Sequence, residues 1–201
     1  MNRAERRNQS RPKSSARKTG LTFITVAGVV SGAVGLASPA HAAVYTSTDC
    51  SDLISDLTAL EADDGGTLTA NFSGDCDLTE GYLFDANTTI IGPADGSLNL
   101  RFTGSSYAGF YGNSDLSVSN LNFTKSADSS VYSLIVSGIT QSLTVSNSTF
   151  SDSSLGAAIY AEGNLTVSNS TFENLTSTSG GTAIYVSNNS ETLIADSTFT
   201  N

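Results

Sequence analysis

Reactive side chains are scarce in this chain, and where they fall limits the chemistry it can do. The 201 residues hold one histidine, His41, two cysteines, Cys50 and Cys76, and nine Lys/Arg against 19 Asp/Glu. Seven of the basic residues precede Ala42, where Glu5 is the only acid. Beyond Ala42, Arg101 and Lys125 stand against 18 carboxylates, a formal net charge of −16. An Arg or Lys can abstract a proton, and a close pair of Asp can cleave a glycosidic bond. Arg101 and Lys125 are 24 residues apart, a spacing that a repeating fold can stack on one face as base and clamp. Against this, no Asp cluster keeps the same phase, no histidine remains after His41, and the negative field repels an acidic polymer. The two bases read as surface charges, and no catalytic residue is assigned.

Metal and nucleic-acid chemistry fare no better. Asp49, Asp52 and Asp56 share helical spacing, and Asp75 and Asp77 flank Cys76. Neither an EF-hand loop nor a glycine–aspartate nonapeptide accompanies them. They read as solvated acids, and no metal and no cofactor is expected. A chain this acidic, with two separated bases, offers phosphates nothing to neutralise them.

The amino-terminal 42 residues differ in kind from the rest. A basic start, the apolar run Leu21–Leu36 and the small residues Ala40 and Ala42 have the form of a secretory signal with cleavage after Ala42. The run of 16, broken by Gly28, Gly32 and Gly35, is short of the roughly 20 residues that span a bilayer. The expectation is a secreted or cell-surface protein with no membrane span after cleavage. Export to an oxidising compartment then predicts a Cys50–Cys76 disulfide.

These groups must be positioned by a repeat. SLTVSNSTF at Ser142–Phe150 returns as NLTVSNSTF at Asn164–Phe172, with weaker copies at Asp115–Phe123 and Thr192–Phe199. The closing Phe123, Phe150, Phe172 and Phe199 are 27, 22 and 27 residues apart, the period of a solenoid whose units bury their apolar faces by stacking. Each copy puts two apolar residues inward (Leu116 and Val118, Leu143 and Val145, Leu165 and Val167). A second apolar run follows: Ser133–Val136, Ala157–Tyr160 and Thr182–Val186. Phenylalanine is expected to fill the corner of each coil as a core stack. Asn120, Asn147, Asn169 and Asp196, three places before each phenylalanine, are expected to align as an inward ladder of side chains. The outward pairs Ser117/Ser119, Thr144/Ser146 and Thr166/Ser168 give three rungs of hydroxyls, which end at Leu193 and Ala195. Three mixed rungs are ordinary outward strand residues rather than an ice-binding array. Ahead of the repeats, Thr48–Asp64 has the caps and the Leu53, Ile54, Leu57, Leu60 stripe of a helix.

The expected architecture is all-β, with a signal peptide over 1–42, a capping helix region over 43–65 and parallel coils over 66–201. Gly180-Gly181-Thr182-Ala183-Ile184, Phe172-Glu173-Asn174 and Phe199-Thr200-Asn201 resemble the glycine–glycine and phenylalanine–asparagine motifs of a known family. That family is the right-handed parallel β-helix proteins of the pectate-lyase-like superfamily, and within it the adhesin-type repeats related to polymorphic outer membrane proteins. The resemblance departs from pattern, since a Thr follows the glycines and the asparagine comes one residue early. It implies an exported passenger or surface-displayed module and carries over no catalytic residue; the expected role is an adhesive or structural scaffold whose partner is an unidentified surface or carbohydrate ligand. The chain is expected to continue past Asn201 into further coils or an anchor domain. The competing expectation is the amino-terminal part of a polysaccharide lyase or hydrolase whose active site lies elsewhere.

Overall fold

The computed structural model of the protein describes residues 42–63, 65–177, 181–187 and 191–200. Apart from Ala42, the signal peptide lies outside the described residues, as do Asp64, Gly180 and Asn201. The rest is the expected right-handed parallel β-helix: a parallel β-solenoid of about six turns with one short amino-terminal helix. Each full turn contributes a strand to three sheets. The first sheet stacks Ala43–Ser47, Gly66–Ala70, Thr88–Ile91, Leu116–Ser119, Ser142–Ser146, Asn164–Ser168 and Thr192–Ala195. The second stacks Gly74–Leu78, Leu98–Phe102, Asn122–Lys125, Thr149–Ser151, Thr171–Glu173 and Thr198–Thr200. The third stacks Tyr82–Phe84, Ala108–Gly112, Ser133–Ser137, Ala157–Ala161 and Ile184–Val186.

Alternation in the strands explains the core, because every second side chain points into the coil. In the first sheet Leu68, Ile90, Val118, Val145 and Val167 are paired in register and fully buried. In the second, Cys76, Leu100, Phe123, Phe150 and Phe172 form one column. From Phe123 to Phe199 the rings stack in parallel, with centroids 4.8–5.0 Å apart. That distance is the spacing of adjacent strands, so the rings inherit their contact from the backbone repeat. At the other end of the rod Phe110 meets Tyr82, Phe84, Phe102 and Phe123 edge-on.

The helix Cys50–Ala62 closes that end. Asp49 caps it by accepting a hydrogen bond from the Asp52 amide at 2.9 Å, and Leu53, Leu57 and Leu60 are buried. Apolar side chains every three or four residues thus cover coil edges that would otherwise meet water. Two placements differ from the sequence reading. The strand Ala43–Ser47 pairs with Gly66–Ala70, so the coils begin before the helix and not at residue 66. The phenylalanines also lie within strands of a second sheet rather than at corners. The left-handed residue ahead of each bends the chain sharply enough for it to resume extended at once.

Candidate functional site

Arg101 and Lys125 do not form a base-and-clamp pair. Arg101 is in register with Thr124, and Lys125 with Phe102, so the two bases are one position out of phase. The register between these coils is 23 residues, so a separation of 24 overshoots by one, and successive residues of a strand face opposite ways. Arg101 instead grips Asp77 on the preceding coil: Nε and Nη2 donate to Oδ1 and Oδ2, both at 2.7 Å. That hydrogen bond and the guanidinium charge hold the Asp77 carboxyl below its ordinary range. Lys125 donates from Nζ to the Ser154 carbonyl at 2.7 Å, and partial burial lowers its pKa. An open cleft of about 390 Å³ lies beside it, lined by Asp152, Ser153, Asn174 and Thr176 among others.

The turn between the first and second sheets is built by two residues with separate tasks. Asn120, Asn147, Asn169 and Asp196 all have left-handed backbone, with φ of 58°, 49°, 48° and 49°. The side chains of Asn147, Asn169 and Asp196 are exposed. Asn and Asp tolerate this conformation better than other residues with a Cβ. The coil-to-coil ladder belongs to the next residue along. Ser148 Oγ donates to the Ser146 carbonyl and accepts from the Leu121 amide of the preceding coil; Ser170 and Ser197 repeat the arrangement. Ser148 and Ser170 are buried. A side-chain amide ladder does exist, in the second sheet, where Asn122 donates to Asn99 at 2.8 Å and Asn99 to Asp75 at 2.7 Å.

Cys50 and Cys76 are joined, tying the first residue of the helix to the centre of Gly74–Leu78. Of the acids at helical spacing, Asp49 caps the helix, Asp52 accepts from the Thr48 hydroxyl and Asp56 from that of Ser47. Among the described residues no group of three or more His, Cys, Asp or Glu is placed to hold a metal ion. No described helix is long and apolar enough to cross a membrane.

Two outer faces remain. On the first sheet the hydroxyl column is longer than the repeats revealed: Thr67, Thr89, Ser117, Thr144 and Thr166 are in register, ending at Leu193. The neighbouring column is interrupted by Ile91. The third sheet is different in kind. Five of the seven tyrosines lie on or beside its outer face: Tyr107, Tyr111, Tyr132, Tyr160 and Tyr185. Tyr107 and Tyr132 stack at 5.7 Å and Tyr160 and Tyr185 at 5.1 Å, yet Tyr107 is 56%, Tyr132 39% and Tyr185 42% exposed. Between the pairs is a depression of about 230 Å³ lined by Tyr132, Gly156, Ala157, Tyr160 and Tyr185. Burial raises the Tyr107 pKa, helped by Tyr160, Tyr132, Glu162 and Tyr111, which places these polar groups close together. Tyr160 Oη donates to Glu162 Oε1 at 3.4 Å. The signal was in the strands AAIY and TAIYV, where a tyrosine follows the inward isoleucine and must point out. Tyr107 and Tyr132 precede their strands and only the fold brings them alongside.

Residues 106–201 match the family model described as right handed beta helix region. That stretch carries all four phenylalanine repeats and both tyrosine pairs. No curated protein and no solved structure matches the chain.

Proposed function

We propose that this protein is an exported β-helix scaffold, secreted or held at the cell surface, with an adhesive or structural role and no reaction catalysed by this segment. The observation that carries the reading is the engagement of its only two exported bases. Arg101 is committed to Asp77 and Lys125 to a main-chain carbonyl, out of phase with each other. The repeated residues likewise go into core and turn: Leu and Val inward, Phe stacked, Ser bridging coils, Asn turning the chain. The outer faces are left for recognition. A lyase or hydrolase reading would need a base and carboxylates converging on one groove.

The test is to express the full chain in a bacterial host, follow it to the medium or cell surface, sequence its amino terminus, and assay it on pectin-type and neutral polysaccharides with added calcium. The expected result is export, a mature terminus at Ala43 and no cleavage products. Retention of an unprocessed chain in the cytoplasm, or release of unsaturated or reducing oligosaccharides, overturns the reading.

A further inference from the structure

How this chain responds to an oxidant depends on which oxidisable side chains it holds and where they stand. From Ala43 onward the sequence has no methionine, tryptophan or histidine, and both cysteines are joined in a disulfide. Methionine and free thiol are ordinarily oxidised first. Without them the electron comes from a phenol. Tyr82 is buried, whereas Tyr107, Tyr132 and Tyr185 are open to a reagent on the third sheet. We propose that the stacked pair Tyr160–Tyr185 is an oxidative cross-linking site, where a carbon–carbon bond between the rings joins two successive coils.

Three features single out this pair. Tyr160 and Tyr185 are in register on adjacent strands, their ring centroids 5.1 Å apart and their planes 15° from parallel. A radical formed on one ring therefore meets its partner without diffusion. Tyr160 Oη donates to Glu162 Oε1 at 3.4 Å, which places a base to receive the proton that leaves with the electron. Tyr185 is 42% exposed, so its ring can be reached and can tilt until the two edges touch. Tyr107–Tyr132 is the internal comparison. Its centroids are 5.7 Å apart, and Tyr132 lies between Tyr107 on the preceding coil and Gly156 on the next. A Cβ on Gly156 would stand 2.0 Å from the Tyr132 Cζ, so that ring is packed on both faces. It cannot tilt toward its neighbour, and the pair stacks without joining.

The reaction needs a one-electron oxidant, here a haem peroxidase acting with hydrogen peroxide. Each phenol gives up one electron and one proton and becomes a phenoxyl radical, whose unpaired electron is shared with the ring carbons ortho to the oxygen. The two radicals join through one ortho carbon each. Each ring then passes the hydrogen on that carbon to its oxygen and regains aromaticity. The peroxide takes up both electrons and both protons and leaves as two waters. The protein ends two hydrogens lighter, with Ala157–Ala161 tied to Ile184–Val186.

The experiment treats the full chain, dilute and folded, with peroxidase and hydrogen peroxide under conditions that couple free N-acetyltyrosine. Dityrosine fluorescence follows the rate, and mass spectrometry locates the bond after digestion at Lys, Arg and Glu. Cleavage after Lys125, Glu162, Glu173 and Glu191 puts Tyr160 on peptide 126–162 and Tyr185 on peptide 174–191. The expected product is these two peptides linked, two hydrogens lighter than their sum, with fragmentation placing the bond on Tyr160 and not on Tyr132. The chain should remain a monomer on a denaturing gel. Tyr160→Phe and Tyr185→Phe, which keep the rings, should abolish the fluorescence. Glu162→Gln should slow its appearance by about tenfold or more, and Tyr107→Phe should leave it unchanged. Three outcomes overturn the proposal: no dityrosine, dityrosine only between chains, or a bond that forms as fast in Tyr185→Phe or Glu162→Gln as in the parent. The scaffold reading rests on export and on the absence of cleavage products, which none of these outcomes touches.

Discussion

Replacing Asn120 and Asn169 together separates two roles that an in-phase asparagine can have in a solenoid. If the amides formed an inward ladder, any side chain lacking the amide would cost the same. If the residues are there because the turn demands φ near +50°, the cost depends on the Cβ. Both positions are left-handed, at 58° and 48°, and the Asn169 side chain is exposed. Alanine in that conformation is disfavoured by about 1 kcal/mol per site relative to residues that tolerate it, whereas glycine adopts it freely. The sites are two coils apart, about 10 Å at strand spacing, so their effects should add. The double alanine variant is therefore expected to lose ~2 kcal/mol, a fall in Tm of roughly 4–8 °C for a domain of this size. The double glycine variant should stay within about 0.5 kcal/mol of the parent. Urea unfolding followed by far-UV circular dichroism, with matched thermal melts, measures both. Equal losses for Gly and Ala would refute the conformational account and restore the amide ladder; no loss for either would refute both.

Three further outcomes test other parts of the scaffold. Ser148→Ala strips a buried hydroxyl that bridges Ser146 and Leu121, and leaves the Leu121 amide without its partner. It should cost roughly 1–3 kcal/mol and deprotect that amide in hydrogen exchange, unlike Ser142→Ala on the less buried edge. Reducing Cys50–Cys76, or replacing both with alanine, should remove about 3.5 kcal/mol by reopening a loop of this length. Melts that are identical with and without reductant would contradict that. Burial pushes the Tyr82 hydroxyl up to about 12, and the hydrogen bond to Asp63 pushes Tyr45 up to about 12. Because these folded values exceed the unfolded one, the folded state favours the protonated phenols; stability is full below pH 10 and drains as pH rises from 10 to 12. Tyr82→Phe should flatten that alkaline decline, as read from urea midpoints across the range.

Much of the architecture was legible in the residues because a solenoid repeats its physics locally. Leu143 and Val145 alternate with Thr144 and Ser146, and one copy of that pattern is enough to orient a strand. Four copies ending in phenylalanine set the period, and stacking in register follows. The helix was legible for the same reason, through Leu53, Leu57 and Leu60 and an acidic cap. Pairing of Cys50 with Cys76 needed only the count of cysteines and the expectation of an oxidising compartment.

What tertiary structure alone decided is which residues of different coils become neighbours, and loop length controls that. Arg101 and Lys125 miss one another because coils need not differ by a constant number of residues, and one residue of slip turns a side chain to the other face. The ladder moved from Asn147 to Ser148 because the turn takes a left-handed residue whose side chain swings out to solvent. Only half of the tyrosine face was legible in sequence, since Tyr160 and Tyr185 lie within their strands while Tyr107 and Tyr132 precede theirs. The distance between these rings is set by backbone stacking and by the absent side chain of Gly156, neither of which a linear spacing encodes. The repeat determined the rod; the placement of its variable residues between coils determined what the rod presents.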